Sequence, residues 1–125
     1  MPKNKTIVAA VEDLFFVVKI NDLARRAGFQ TEFIKTQDAV VERVAADLPA
    51  LVLVDLNNSA IEPVDLIARV KALPGAKAVS VIGFVSHVEA ELKQRAQEAG
   101  ANMVLARSAF SASLPQILKR HSGSL

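Results

Sequence analysis

Short apolar runs alternate along this chain with segments in which apolar residues recur every three or four positions. Runs of this kind, bounded by polar or turn residues, are typical of strands that a sheet buries on both faces. They predict five strands: Thr6–Val11, Thr31–Ile34, Leu51–Asp55, Ala78–Val85 and Asn102–Ala106.

The intervening segments have the spacing that the buried side of a helix requires. They predict five helices, marked by Phe16, Ile20, Leu23, Ala24 and Ala27; by Ala39, Val40, Val44 and Ala45; by Val64, Ile67, Ala68 and Val70; by the segment from about Val88 to Ala99; and by Leu114, Ile117 and Leu118. Helix-ending residues follow four of them: Gly28, Pro49, Pro74-Gly75 and Gly100. The last helix is expected to be short, with Pro115 in its first turn.

Strict alternation of five strands and five helices predicts an α/β fold, a parallel sheet wound by right-handed crossovers and covered on both faces. Ligands of such folds gather at the carboxyl ends of the strands. The positions to compare there are Glu12, Asp13, Asp55, Val85, Ser86 and Arg107.

The composition favours one globular domain over residues 1–125, with a core of about 5–121. Hydrophobic residues make up 51% of the 125 residues, and 15 basic against 13 acidic residues give a net charge of only +2, so nucleic acid is not an expected partner. Cysteine is absent, which excludes disulfides and thiolate metal sites. The apolar run near the N-terminus is too short for a signal peptide or membrane span, so a cytoplasmic location is expected.

Three motifs resemble bacterial response-regulator receiver domains over about residues 5–121. The segment 52–57, Val-Leu-Val-Asp-Leu-Asn, looks like the family's phosphoacceptor strand, and 98–102, Glu-Ala-Gly-Ala-Asn, is similar to its helix-four exit. The segment 26–29 resembles its helix-one exit, and the spacing of both exits from Asp55 fits. The resemblance implies a flavodoxin-like (βα)5 fold with strand order 2-1-3-4-5.

The resemblance assigns Asp55 as the phosphoacceptor position, although an aspartate at a strand end can also simply cap the next loop. The family binds Mg²⁺ through two adjacent acids after strand one, and an ungapped alignment puts Val11 and Glu12 there. One acid is then lost. Asp13 either reaches the metal through water or serves as a helix N-cap. The backbone carbonyl of Asn57 would be the remaining ligand, and we expect Mg²⁺ binding to be weak.

The positions that normally hold the phosphoryl product are altered. Val85 stands at the hydroxyl position and offers no hydrogen bond, while Ser86 would substitute only if the strand were shifted, because neighbouring side chains point in opposite directions. Arg107 stands at the position of the family's lysine, followed by Ser108 instead of proline. Arg107 either pairs with Asp55 in place of the metal or is solvated. The strand-five aromatic that many receivers carry is also missing.

Two surface features remain. The run Leu14–Val18 is five apolar residues in the first helix, which either widens its buried face or leaves an association surface exposed. His87 is either a proton-sensitive switch or an ordinary solvated loop residue.

The leading hypothesis is an atypical single-domain receiver, not an enzyme, that binds a histidine kinase, another signalling protein or a second copy through helix one. Phosphorylation at Asp55 would be weak or absent. The alternative is a functional phosphoacceptor response regulator that uses Mg²⁺. A flavodoxin-like enzyme or nucleotide binder is a third hypothesis, but the five glycines form no phosphate-binding loop.

Overall fold

The computed structural model describes residues 5–86 and 89–122. These residues form one five-stranded sheet in the order β2-β1-β3-β4-β5, with every pair of neighbours parallel. The elements are β1 (Thr6–Ala10), α1 (Leu14–Arg26), β2 (Gln30–Phe33), α2 (Gln37–Ala46), β3 (Leu51–Asp55), α3 (Pro63–Lys71), β4 (Ser80–Val85), α4 (Ala90–Ala99), β5 (Met103–Ala106) and α5 (Arg107–His121). The predicted fold class and strand order are confirmed.

Two hydrophobic layers cover the sheet, as its fully buried central strands require. Alternate residues of β1 and β3 face opposite layers: Val52 and Val54 pack with α2, α3 and α4, whereas Leu51 and Leu53 pack with α1 and α5. All five residues of β3 are buried, which explains why this strand was the most apolar run in the sequence.

Gly28 and Gly100 end the helices that the sequence predicted them to end. Gly28 follows α1 with φ +86°, and hydrogen bonds from Gly28 to Arg25 and from Phe29 to Ala24 close the helix in a Schellman motif. Gly100 ends α4 with φ +120°. The limits of β3 are as predicted, and those of the other strands differ by one or two residues; Ala78, the expected start of β4, lies in a 3₁₀ turn of residues 76–78. The expected start of α4 at Val88 lies outside the described residues, as does His87.

The prediction for the last helix was wrong. α5 begins at Arg107, directly after β5, and runs for 15 residues, so Pro115 lies inside the helix and not in its first turn. Phe110 and Leu114 continue the apolar spacing of the later residues and are fully buried. The serine-rich composition around them obscured this signal. Pro115 is exposed, so its missing N–H lies on the solvent side of the helix.

No helix within the described ranges combines the length and the apolar character needed to cross a membrane.

Candidate functional site

Asp55 is the last residue of β3 and lies at the carboxyl edge of the sheet between two neighbouring strands. Ala10 pairs with Val54 in the register of β1, and Phe84 of β4 pairs with Asp55 itself. The side chain of Asp55 is nevertheless 1% exposed. A carboxylate removed from water to this extent needs compensating charge or hydrogen bonds.

Arg107 supplies the compensating charge. Because α5 starts without a loop after β5, its first residue is held at the same edge of the sheet as Asp55. The Nη2 atom of Arg107 donates to Oδ1 of Asp55 at 3.3 Å, and its Nη1 atom donates to Oδ2 of Asp13 at 2.7 Å. The expectation that Arg107 pairs with Asp55 therefore matches the geometry, and the solvated alternative does not.

Aromatic rings restrict the movement of the Arg107 guanidinium. Its central carbon lies 5.1 Å from the ring centroid of Phe16 and 5.5 Å from that of Phe84, within the range of cation–π attraction. Phe84 stacks on Phe110 with centroids 4.4 Å apart. The side chain of Arg107 is 22% exposed, so its charge is partly desolvated among two carboxylates and two rings.

Asp13 is the N-cap of α1. Its Oδ1 atom accepts the backbone N–H of Phe15 at 2.9 Å, while the other oxygen is taken by Arg107. A positive side chain at the first position of α5 is unfavourable beside the positive end of that helix. The carboxylates of Asp13 and Asp55 offset this, so the three side chains stabilise one another.

Glu12 points towards the loop after β3. Its carboxylate accepts a hydrogen bond from Oγ of Ser59 at 3.1 Å, and the same loop is fixed by Asn58, which is 5% exposed. Oδ1 of Asn58 accepts the N–H of Ala60 at 2.9 Å, and its amide nitrogen donates to the carbonyl of Ala10 at 3.4 Å. The loop is therefore tied to the end of β1 through polar side chains.

Asn57 connects the loops after β3 and β4. Its backbone N–H donates to Oδ1 of Asp55 at 2.9 Å, and its side-chain oxygen accepts the N–H of Ser86 at 2.7 Å. Val85 is 2% exposed and packs in the core cluster beneath α3 and α4. The hydroxyl-bearing side chain of Ser86 is exposed. Ser86, the first residue after β4, is thus tied to the loop after β3 through the side chain of Asn57.

These donors do not form a Mg²⁺ site as they are arranged. Mg²⁺ requires several oxygen ligands in near-octahedral geometry. Here Oδ1 of Asp55 accepts from Asn57 and Arg107, both oxygens of Asp13 are engaged, and Val11 contributes no carboxylate. Within the described residues, no group of three or more acidic or histidine side chains is suitable for holding a metal. The guanidinium takes the place of a cation between the two carboxylates.

Three features of the site were not predicted from the sequence. They are the side-chain hydrogen bonds of Asn57, those of Asn58, and the contact between Arg107 and Asp13. An asparagine side chain often accepts a hydrogen bond from the backbone N–H two residues further on and so forms a turn, which gave Asn58 a weak signal. The bond between Asn57 and Ser86 carried none, because it joins loops whose separation depends on the register of β3 and β4.

The comparisons with known proteins give structural matches only. No protein-family model matches the sequence, and no relative was found among curated proteins.

Solved structures of receiver domains and response regulators resemble the chain. The receiver domain of the sensor histidine kinase PA1611 from Pseudomonas aeruginosa PAO1, which carries a magnesium ion in its active site cleft, is 18% identical with a TM-score of 0.81; the match covers 97% of this chain and 99% of that one. A putative response regulator from Chloroflexus aurantiacus J-10-fl is 21% identical with a TM-score of 0.82, covering 96% and 98%. The chemotaxis response regulator CheY4 of Vibrio cholerae is 14% identical with a TM-score of 0.81, covering 95% and 99%. At these identities the likeness defines the architecture: the chain has the CheY-like, flavodoxin-like fold of response-regulator receiver domains.

Proposed function

We propose that this protein is an atypical receiver that acts by binding a signalling partner, with phosphorylation of Asp55 weak or absent. The observation that carries the proposal is the guanidinium of Arg107, which bonds to both Asp55 and Asp13. In a phosphorylatable receiver this space must admit a phosphoryl group and the cation that neutralises it. Here a side chain of the protein fills the cation's role.

Access to the nucleophile supports the same conclusion. A carboxylate that attacks phosphorus must be reachable by an anionic donor in line with the leaving group. Asp55 is 1% exposed, and its Oδ1 atom already accepts two hydrogen bonds. Arg107 would have to move before a donor could approach, and that movement would leave Asp55 buried without its counter-charge.

Val85 and Ser86 also argue against a conformational change driven by phosphorylation. A product phosphoryl group would find no hydroxyl at Val85, and the N–H of the next residue, Ser86, already donates to the side chain of Asn57 at 2.7 Å. Without a hydroxyl to couple a bound phosphoryl group to the end of β4, the surface would present one conformation to its partner. The partner we propose is a histidine kinase or another signalling protein, and we propose no catalytic activity. The cytoplasmic location stays a prediction.

Intact-mass measurement after incubation with Mg²⁺ and a small phosphodonor tests the proposal. We expect the protein to remain unmodified, because Arg107 occupies the pocket and no second acid replaces Val11. A phosphodonor-competent receiver domain treated in parallel shows that the reagent is active. A phosphoryl adduct that is absent from Asp55→Asn would contradict the proposal and support the alternative of a functional response regulator.

A further inference from the structure

Three large apolar side chains lie exposed in the first half of α1. Leu14 is 77% exposed, Phe15 67% and Val18 68%. Leu14 and Val18 are one helical turn apart and form a ridge on the outer side of the helix, opposite the buried residues Phe16, Ile20 and Ala24. Contiguous exposed apolar side chains of this size are typical of interaction surfaces. We call Leu14, Phe15 and Val18 the α1 ridge.

Charges of opposite sign stand at the two ends of the α1 ridge. Glu12 is exposed just before the helix, at the carboxyl edge of the sheet, whereas Arg25 and Arg26 are exposed in the last turn. Arg26 pairs with Asp22 at 3.3 Å, but both side chains are more than half exposed, so this pair contributes little stability. The exposed face of α1 is therefore acidic at one end, apolar beside it, and basic at the other end.

Across the described residues, acidic and basic side chains are separated in the same direction as along α1. Every helix starts at the carboxyl edge of the parallel sheet, and exposed acidic residues outnumber the exposed Lys35 there: Glu12, Glu62, Asp65, Glu89 and Glu91. The opposite edge is mainly basic, with Lys5, Arg25, Arg26, Arg43, Lys71, Lys77, Lys119 and Arg120 against Asp47 and Glu98. Two copies side by side in the same direction would repel, whereas an antiparallel pair brings unlike edges together.

We propose that the α1 ridge joins two copies of this chain in an antiparallel, twofold-symmetric dimer. With the axis near Val18, the two Val18 side chains meet, and Leu14 of each copy enters the groove of the other that Val17, Val18 and Phe33 line together with Asn21, Asp22 and Arg25. Arg25 of each copy then lies near Glu12 of the other. Each contact occurs twice, as an isologous interface requires. This inference does not depend on whether Asp55 is phosphorylated.

The expected affinity is modest. A helix of 13 residues is about 20 Å long, and one helix on each side gives an interface at the low end of the specific range, below roughly 1,200 Å² in total. We therefore expect a dimer that dissociates on dilution, with a dissociation constant on the order of 1–100 µM. Because Glu12 and Arg25 lie at the surface, dimerisation should weaken as salt is raised.

Sedimentation velocity of the full chain at increasing concentration tests the dimer. The wild type should shift from monomer to dimer, and Phe15→Glu should remain monomeric over the same range. Ala68→Glu is a matched control, because Ala68 is an exposed helical residue on α3, in the other layer. Circular dichroism checks that both variants fold. A wild type that stays monomeric, or a Phe15→Glu protein that still dimerises, would overturn the proposal.

Charge exchange tests the antiparallel arrangement. Glu12→Arg alone and the double variant Arg25→Glu/Arg26→Glu alone should each dimerise at least tenfold more weakly than the wild type, because like charges then face each other. Mixed in equal amounts, the two should form a heterodimer, since both ends are again of opposite charge. Failure of the mixture to associate would exclude this orientation, and neither result bears on the phosphodonor test.

Discussion

Replacing Arg107 by methionine is expected to lower the free energy of unfolding by about 3 kcal/mol, because removing one partner of a buried ion pair leaves an uncompensated charge. That charge is Asp55, whose side chain is 1% exposed. Methionine leaves an apolar side chain beside Phe16 and Phe84 but removes the guanidinium, and with it both the charge and the contacts on the two rings. Urea unfolding at neutral pH measures the effect.

A double-mutant cycle separates the ion pair from general damage. Asp55→Asn keeps the size of the side chain and removes the charge, so it should cost less than the loss of Arg107. The double variant should be more stable than the sum of the two single changes implies, by about 1–3 kcal/mol. Additive effects would show that Arg107 does not compensate Asp55.

Restoring the three altered positions should convert the protein into a phosphoacceptor. The variant Val11→Asp/Val85→Thr/Arg107→Lys supplies a second carboxylate directly after β1, a hydroxyl at the end of β4 and a compact ammonium in place of the planar guanidinium. We expect intact-mass measurement with Mg²⁺ and a small phosphodonor to change from no adduct to a majority of phosphorylated protein.

The matched control for this restored variant carries the same three changes plus Asp55→Asn, and it should stay unmodified. The single Arg107→Lys variant should gain little, since Val11 and Val85 still leave the metal and the product without partners. If the triple variant folds but gains neither Mg²⁺ binding nor an adduct, something other than these three residues silences Asp55.

The architecture was readable from the sequence because parallel strands and covering helices impose different periodicities. The run Leu51–Asp55 had to be a central strand, and Phe16, Ile20 and Ala24 had to be the buried side of α1. That burial also explains why the remaining apolar residues of α1 are exposed. The length of α5 was missed because serine and alanine around Phe110 have no strong pattern, and Pro115 suggested a start that the structure does not have.

Only those contacts of the site that follow from a residue's position at the end of a strand could be predicted from the sequence. The pairing of Asp55 with Arg107 follows from their places after β3 and β5. The contact of Arg107 with Asp13 joins residues 94 positions apart, and it depends on α5 starting without a loop, which no local pattern indicates. N-capping by Asp13 was one of two open alternatives, and the structure shows this one.

The most direct test of the central claim, that Arg107 fills the cation position beside Asp55, is a Mg²⁺ titration of the ¹⁵N-labelled protein followed by NMR. The reporter is the backbone amide of Asn57, which donates to Oδ1 of Asp55 at 2.9 Å. We expect no saturable shift of this amide at millimolar Mg²⁺ in the wild type. A saturable shift of Asn57 together with its neighbours at the carboxyl edge would show that the pocket admits the metal, and would contradict the account.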